Sequence, residues 1–294
     1  MTSQILPVER DFWTPPQGAP DSPDAGWIEA VEAGKVLYFP RLAFGLTPDE
    51  TPLLRPGLLK EGVRNISLDA AGNLKGVEGD AAVQAQTRAL IARFARDATA
   101  LVHSVFPAYK GYLRAAPTSL RPVQVSTRNQ SWRADDRRMH VDAFPSRPNR
   151  GERILRVFSN LNPHGEARHW RVGEPLEDVV KRFGPKLAPY SPLKARLLRT
   201  LRVTKSLRTE YDHLMLQLHD AMKQDEAYQK EAPQEAMAFP PGSTWICFSD
   251  QTVHAAMGGQ HMIEQTFHLP VDRQYNPEAS PLAILTRYAG HPLI

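Results

Sequence analysis

His140 and Asp142 stand two residues apart in Met139-His140-Val141-Asp142-Ala143-Phe144, and another histidine closes the distant run Asp250-Gln251-Thr252-Val253-His254. In an extended chain side chains alternate between faces, so the imidazole and the carboxylate two apart point the same way. Joining His254 to them requires a fold that returns a late strand beside an early one. A closed double-sheet architecture of jelly-roll type does this.

The rest of the chain fits that demand. Trp27 to Ala33 reads as a short helix and Val36–Phe39 as a strand closed by Pro40. Ala81 to Phe106 carries apolar residues at helical spacing without a breaker and predicts a long amphipathic helix. From Val123 the texture becomes strand-like, with Val123 to Thr127 and Arg138 to Phe144 alternating and Ile154 to Asn162 as a third strand ended by Pro163-His164-Gly165. Residues 165–235 interrupt this pattern and are helical in period. Strand texture returns at Ser243 to Phe248 and His261 to Leu269. The expectation is one domain over 1–294, mainly β or α+β, with a double-stranded β-helix (cupin-like) core. In it 1–120 form a mostly helical support, 121–164 and 240–270 the core strands, and 165–235 a helical insertion. Pro240-Pro241-Gly242 and Gly258-Gly259 are turn signals that put His254 at a strand end or in a short connection.

Two histidines and one carboxylate form the facial triad of non-haem Fe(II) oxygenases, which leaves metal positions open for a cosubstrate and O2. Zinc hydrolysis is the chemical rival, because the same donors bind Zn2+. It needs a carboxylate base, for which Asp135 and Asp136 are available, and no His-Glu-x-x-His helix is present. His164, His169, His213 and His219 have poor spacing for ligands and read as ordinary surface or core residues.

Iron oxygenases of this kind usually bind 2-oxoglutarate, whose remote carboxylate suits the planar fork of an arginine. On the strand after His-x-Asp, Arg156, Phe158, Asn160 and Asn162 share one face, and Leu155, Val157, Ser159 and Leu161 share the other. One cation and two amides among hydrophobes suit a polar cavity, so Arg156 is the expected anchor, with Asn160 beside it and Arg128 and Arg153 in reserve. An exposed strand arginine is the alternative.

Composition limits the setting. The chain has 294 residues, 41% hydrophobic and 23% charged, as in ordinary globular proteins. A single cysteine, Cys247, excludes an intrachain disulfide and suggests a reducing compartment. No apolar stretch has the length of a membrane span, and Met1 to Pro16 lacks the apolar region of a signal peptide, so a cytoplasmic location is expected. The net charge of +4 favours anionic partners.

The run from Ser131-Trp132-Arg133-Ala134-Asp135-Asp136-Arg137-Arg138 through Met139 to Phe144-Pro145-Ser146-Arg147-Pro148 resembles the signature of the Kdo 3-hydroxylases. The likeness continues through Arg156-Val157-Phe158-Ser159-Asn160-Leu161-Asn162-Pro163 and from Thr244-Trp245 past His254 to Glu264-Gln265-Thr266-Phe267. These are bacterial Fe(II)/2-oxoglutarate dioxygenases that hydroxylate C3 of the outer Kdo sugar of Kdo-lipid A, in the inner part of lipopolysaccharide. The resemblance implies a jelly-roll core with iron on His140, Asp142 and His254. It also implies turnover of 2-oxoglutarate and O2 to succinate and CO2, supported in vitro by ascorbate. Many members of the wider superfamily carry the 2-oxoglutarate arginine about ten residues after the distal histidine. Here that neighbourhood holds Glu264, Gln265 and Thr266, which is why Arg156 is preferred.

Kdo carries a carboxylate and lipid A carries phosphates, so Arg133, Arg137, Arg138 and Arg147, with Arg150 nearby, are candidate substrate contacts; surface solubility is the alternative for each. Leu193 to Arg208 forms a basic amphipathic pattern suited to an anionic inner-membrane surface. A core-packing helix with a solvated basic face is equally consistent with it. The competing readings are a hydroxylase of another anionic lipid, peptide or nucleic acid, and a metal-free basic binding module. No nucleic-acid partner is expected.

Overall fold

The computed structural model describes residues 2–16, 24–125 and 130–294. Twelve strands are described: β1 (Ile5–Pro7), β2 (Val36–Phe39), β3 (Ile66–Leu68), β4 (Leu74–Lys75), β5 (Arg114–Ala115), β6 (Thr118–Arg121), β7 (Arg153–Asn160), β8 (Arg168–Gly173), β9 (Gln234–Phe239), β10 (Thr244–Phe248), β11 (His254–Gly258) and β12 (Met262–Leu269). The α-helices are α1 (Ala25–Glu32), α2 (Ala81–Val105), α3 (Leu176–Phe183), α4 (Pro192–Thr200), α5 (Glu210–Gln224), α6 (Glu226–Glu231) and α7 (Pro281–Ala289).

The strands form two sheets. The larger runs β1-β2-β10-β7-β12-β6-β3-β4, with β5 also pairing β12, and the smaller runs β11-β8-β9. Between them lies an aromatic core. Trp245 stacks on Phe239 at 4.2 Å and on Phe158 at 5.3 Å, and Trp170 meets Trp245 edge-on at 5.5 Å. Offset and edge-to-face contacts of this kind add to the burial energy of the rings.

The long helix α2 covers the outer face of the larger sheet. Asp80 caps it by accepting from Val83 N at 2.9 Å, and Pro107 follows its end. Leu90, Ile91, Phe94, Leu101 and Val102, on one stripe of α2, pack in one cluster with Leu155 and Val157 of β7. Each such large apolar side chain contributes roughly 1.5–3 kcal/mol when buried. The expected parity of β7 holds: Leu155 and Val157 face α2, and Phe158 faces the aromatic core.

A second helical layer, α3, α5, α6 and α7, packs behind β11 and around the His-x-Asp segment. Met139, Val141, Val253 and Ala255 share one cluster with Val180, Phe183, Leu218 and Ile284. Gly173 at the end of β8 lets that strand close on Met139 and Val253, because a Cβ there would lie 2.5 Å from Val253 Cγ1 and 2.7 Å from Met139 Cε.

Five expectations need correction. Residues 1–120 are not mostly helical, because five strands and most of β6 lie there. These strands have two to four residues each, too few for alternation to stand out. The insertion does not begin at 165, because Arg168–Gly173 is β8, the centre of the smaller sheet. Arg138 to Phe144 is irregular apart from one bridge, His140 to His254. Val123 to Val125 is irregular too, while 126 and 127 lie outside the described residues. The basic run Leu193 to Arg208 is not one helix, since α4 ends at Thr200 and Arg202 adopts a left-handed φ of 57°.

Candidate metal centre

The irregular segment still presents its even-numbered side chains together, because Met139 and Val141 are held in the helical cluster behind it. His140 and His254 face each other across the bridge. His140 N donates to His254 O at 3.0 Å, and His254 N donates to His140 O at 2.9 Å. Directly opposed residues put their side chains on the same face. Asp142 N donates to Ser249 O at 2.8 Å, which holds the carboxylate beside them. One ligand atom from each of His140, Asp142 and His254 lies within 4.8 Å of the other two.

The hydrogen bonds fix the tautomers. Nδ1 of His140 lies 2.7 Å from Arg138 O, and Nδ1 of His254 lies 2.8 Å from Thr252 O. A carbonyl accepts only, so each Nδ1 carries its proton and each Nε2 presents a lone pair. Backbone acceptors commonly orient metal-ligating histidines in this way. Burial lowers the affinity of both rings for protons, and at His140 the neighbouring His254 and Lys223 add to the effect. Burial alone would raise the Asp142 carboxyl, but Arg156, His254 and His140 outweigh it and hold the carboxylate ionised. Arg156 Nη2 lies 3.0 Å from Asp142 Oδ2, yet neither this oxygen nor Arg156 Nε has an aligned hydrogen-bond partner among the described residues. Two neutral imidazoles, an anionic carboxylate and orphaned polar atoms fit a divalent cation and an acidic ligand beside it.

The turn that presents His254 is held from within. Arg153 Nε donates to Asp250 Oδ2 at 2.8 Å and Nη2 to Gln251 Oε1 at 2.6 Å, while its guanidinium lies 4.0 Å over Phe248. Ile154 N donates to the other Asp250 oxygen at 3.1 Å. His254 also stacks on Trp170 at 5.1 Å.

The model of the 3-deoxy-D-manno-oct-2-ulosonic acid (Kdo) hydroxylase family matches residues 16–292. The chain belongs to the Kdo hydroxylase family. Among solved structures, the Kdo hydroxylase KdoO in complex with cobalt(II) superimposes with a TM-score of 0.93 at 44% identity, covering 99% of this chain and 98% of that one. KdoO in complex with alpha-ketoglutarate and Fe(III) gives 0.91 at 44% identity, over 99% and 97%. KdoO is described there as a non-heme Fe(II), alpha-ketoglutarate-dependent dioxygenase. No curated protein matches the chain.

In this Kdo hydroxylase two chambers meet at the triad. The first, about 210 Å³, is lined by Arg121, Arg156, Arg168, Trp170 and Glu264 with all three candidate ligands. Arg156, the expected anchor, lines this chamber. Arg121 and Arg168 were not singled out, because one closes a four-residue strand and the other lay inside the supposed insertion. Glu264 organises the arginines. Arg121 donates to its Oε1 through Nε at 3.1 Å and Nη2 at 2.7 Å, and Arg156 Nη1 lies 3.7 Å from Oε2. Burial favours a protonated Glu264, but Arg121 and Arg156 overcome this and its carboxyl stays below the ordinary range.

Other expected contacts lie elsewhere. Asn160 does not line the first chamber; its amide is engaged by Glu166 O and Phe239 O, both at 3.0 Å. Arg153 is sunk in the Asp250 pair and cannot reach a cosubstrate. Arg128 lies outside the described residues.

The second chamber, about 420 Å³, is lined by Arg133, His219 and Lys223 with His140 and Asp142. Arg137 pairs with Asp135 at 2.8 Å and Arg138 with Glu226 at 2.6 Å, and neither lines a chamber at the triad. Arg147 lines a further cavity of about 340 Å³ with Arg114 and Arg156, and Arg150 N donates to Asp212 at 2.8 Å. His219, read from the sequence as bland, stands edge-on to His140 with ring centres 5.5 Å apart. Its helix α5 folds back over the site, which helical spacing alone does not reveal.

Proposed function

We propose that this chain is an Fe(II)- and 2-oxoglutarate-dependent hydroxylase of Kdo, with His140, Asp142 and His254 holding the metal. The carrying observation is the convergence of two Nε2 lone pairs and the Asp142 carboxylate on one point. Iron bound there would supply O2 activation coupled to decarboxylation of 2-oxoglutarate. The protein's own contribution is placement and charge. Arg121, Arg156 and Arg168 suit the acidic ends of the cosubstrate, and Arg156 remains the expected anchor because it also neighbours Asp142. Phe158 and Trp170 belong to a buried aromatic cluster that gives the inner wall an apolar backing.

The finer reading is hydroxylation at C3 of the outer Kdo of Kdo-lipid A, at the cytoplasmic face of the inner membrane. Among the described residues no helix is long and apolar enough to cross a membrane. Peripheral contact is supported by α4, where Ala195 is the only buried residue. Leu193, Leu197 and Leu201 lie four apart and are 76%, 56% and 63% exposed, beside Lys194, Arg196, Arg199 and Arg202. An apolar stripe flanked by cations suits an anionic lipid surface. The following segment is tied to the rim of the site: Lys205 N donates to Ser146 O at 3.0 Å and Arg208 Nη2 to Pro145 O at 2.6 Å, next to Phe144. Mass spectrometry of lipopolysaccharide from cells with and without the gene tests the reading. One additional oxygen on the Kdo region, present only with the gene, supports it; identical Kdo regions contradict it.

A further inference from the structure

Resting on that reading, we infer that the second chamber receives the acidic sugar and that Lys223, with Arg133 at the rim, binds its carboxylate. The two chambers share Arg64, Asp136, His140, Asp142 and Phe144, so a ligand in either one borders the same metal position. They differ in their other walls. The first is closed by the arginines and Trp170 of the two sheets. The second is about twice as large and opens between the segment 133–145 and helix α5, through Leu216, His219 and Lys223. The smaller, arginine-rich chamber suits a compact diacid. The larger has the volume of a small-molecule site and leaves room for an eight-carbon sugar whose far end continues outward.

Lys223 is the unusual feature of this wall. It lies in the last turn of α5 and is only 2% exposed, although lysine is rarely buried without a partner. Among the described residues the hydrogen bond of its Nζ goes to Arg133 O, at 3.0 Å. An ammonium group has three protons to donate, so one carbonyl leaves donor capacity open, while the charge is answered at a distance by Asp136, Asp142, Asp135 and Asp220. Two of these carboxylates are paired with other side chains: Asp135 with Arg137 at 2.8 Å, and Asp220 with Arg133 at 3.1 Å and His219 at 3.0 Å. A buried ammonium with open donor capacity, lining a chamber at the metal position, is therefore fitted to hydrogen-bond an incoming carboxylate. Arg133 is 64% exposed in its side chain, lies 4.3 Å over Trp132 and contributes its backbone carbonyl to Lys223. It stands where the substrate would pass.

The test compares a Kdo acceptor bearing a free carboxylate with its methyl ester, using wild type, Lys223→Met, Lys223→Arg and Arg121→Ala. Wild type is expected to prefer the acid. Lys223→Met should raise KM for the acid by about 10- to 100-fold and abolish the preference over the ester, the scale of a lost charged hydrogen bond. Lys223→Arg should keep part of the preference. Arg121→Ala should instead raise KM for 2-oxoglutarate and leave the acid-to-ester ratio unchanged. The inference is overturned if Lys223→Met or Lys223→Arg slows both acceptors equally, as a merely structural lysine would, or if wild type does not distinguish them. A wild type that hydroxylates neither acceptor contradicts the proposed function itself, a result distinct from an unchanged ratio.

Discussion

His140 and His254 are paired through both of their backbone amides, at 3.0 and 2.9 Å, on an isolated bridge beyond the ladder of the smaller sheet. The two imidazoles are therefore positioned by one pair of main-chain bonds, and their Nδ1 atoms by two more. Removing either ring leaves the bridge in place and deletes a donor atom. His140→Ala and His254→Ala should fold normally yet lose the rise in melting temperature that Co(II) gives the wild type. Turnover should fall by more than about 100-fold, beyond the usual cost of losing a group that only orients a ligand. An undiminished Co(II) response in both variants would remove these histidines from the metal site.

Arg156 lies 3.0 Å from Asp142 and 3.7 Å from Glu264, so its fork is aimed before any ligand enters. Lysine keeps the charge but not the paired donors. Arg156→Lys should raise KM for 2-oxoglutarate by about 10- to 100-fold, in line with one charged hydrogen bond. Initial rates against 2-oxoglutarate concentration measure this, and an unchanged KM would transfer the anchor to Arg121 or Arg168.

The Arg153–Asp250 pair has no exposed side-chain surface on either partner. Breaking such a pair strands a buried charge and costs about 3–5 kcal/mol. Asp250→Ala should therefore lose about that much in urea unfolding and also weaken metal binding, because Asp250 begins the turn that delivers His254. A loss under about 1 kcal/mol would show that the pair is dispensable.

Acid should destabilise the metal-free protein early. Burial holds His103, His140, His254, His261 and His268 below their ordinary value of 6.5, while exposed His291 alone among the shifted rings is raised by Glu210. Between the folded values and 6.5 the unfolded chain binds more protons than the folded one, so stability falls as pH drops through that window. Asp142 and Glu264 are depressed instead, and their contribution is lost only below the ordinary carboxylate values, as pH falls toward their lowered ones. Scanning calorimetry from about pH 7.5 to about pH 5.5 should show a falling Tm, and a flat profile would contradict this assignment.

If α4 meets the membrane, liposomes containing acidic lipid should sediment the wild type in a salt-sensitive way. Replacing Leu193, Leu197 and Leu201 with serine should abolish co-sedimentation without a loss of stability, since all three are exposed. Binding that is absent in the wild type, or indifferent to salt, would refute membrane contact.

The candidate ligand cluster is legible in the sequence because alternation survives without a ladder: Met139 and Val141 are buried on one side, and His140 and Asp142 are left on the other. The place of Arg156 on the chamber wall is legible for the same reason, as β7 is eight residues long and its two faces differ in polarity. Arg121, Arg168 and Lys223 are not. Arg121 closes a strand too short to show a period, and Arg168 belongs to a strand enclosed by helical sequence. Lys223 sits in a helix whose inward turn only the tertiary fold sets. The empty cation position after His254 has a physical counterpart, since Glu264 on β12 holds Arg121 and stands near Arg156 from neighbouring strands.

The most direct test is the mass of a Kdo-bearing acceptor after incubation with the purified protein, Fe(II), 2-oxoglutarate, ascorbate and O2, alongside Asp142→Ala. The account predicts that the wild type adds one oxygen atom for each succinate formed and that Asp142→Ala adds none. Succinate formed with no oxygen gained by the acceptor, or equal product from Asp142→Ala, would contradict it.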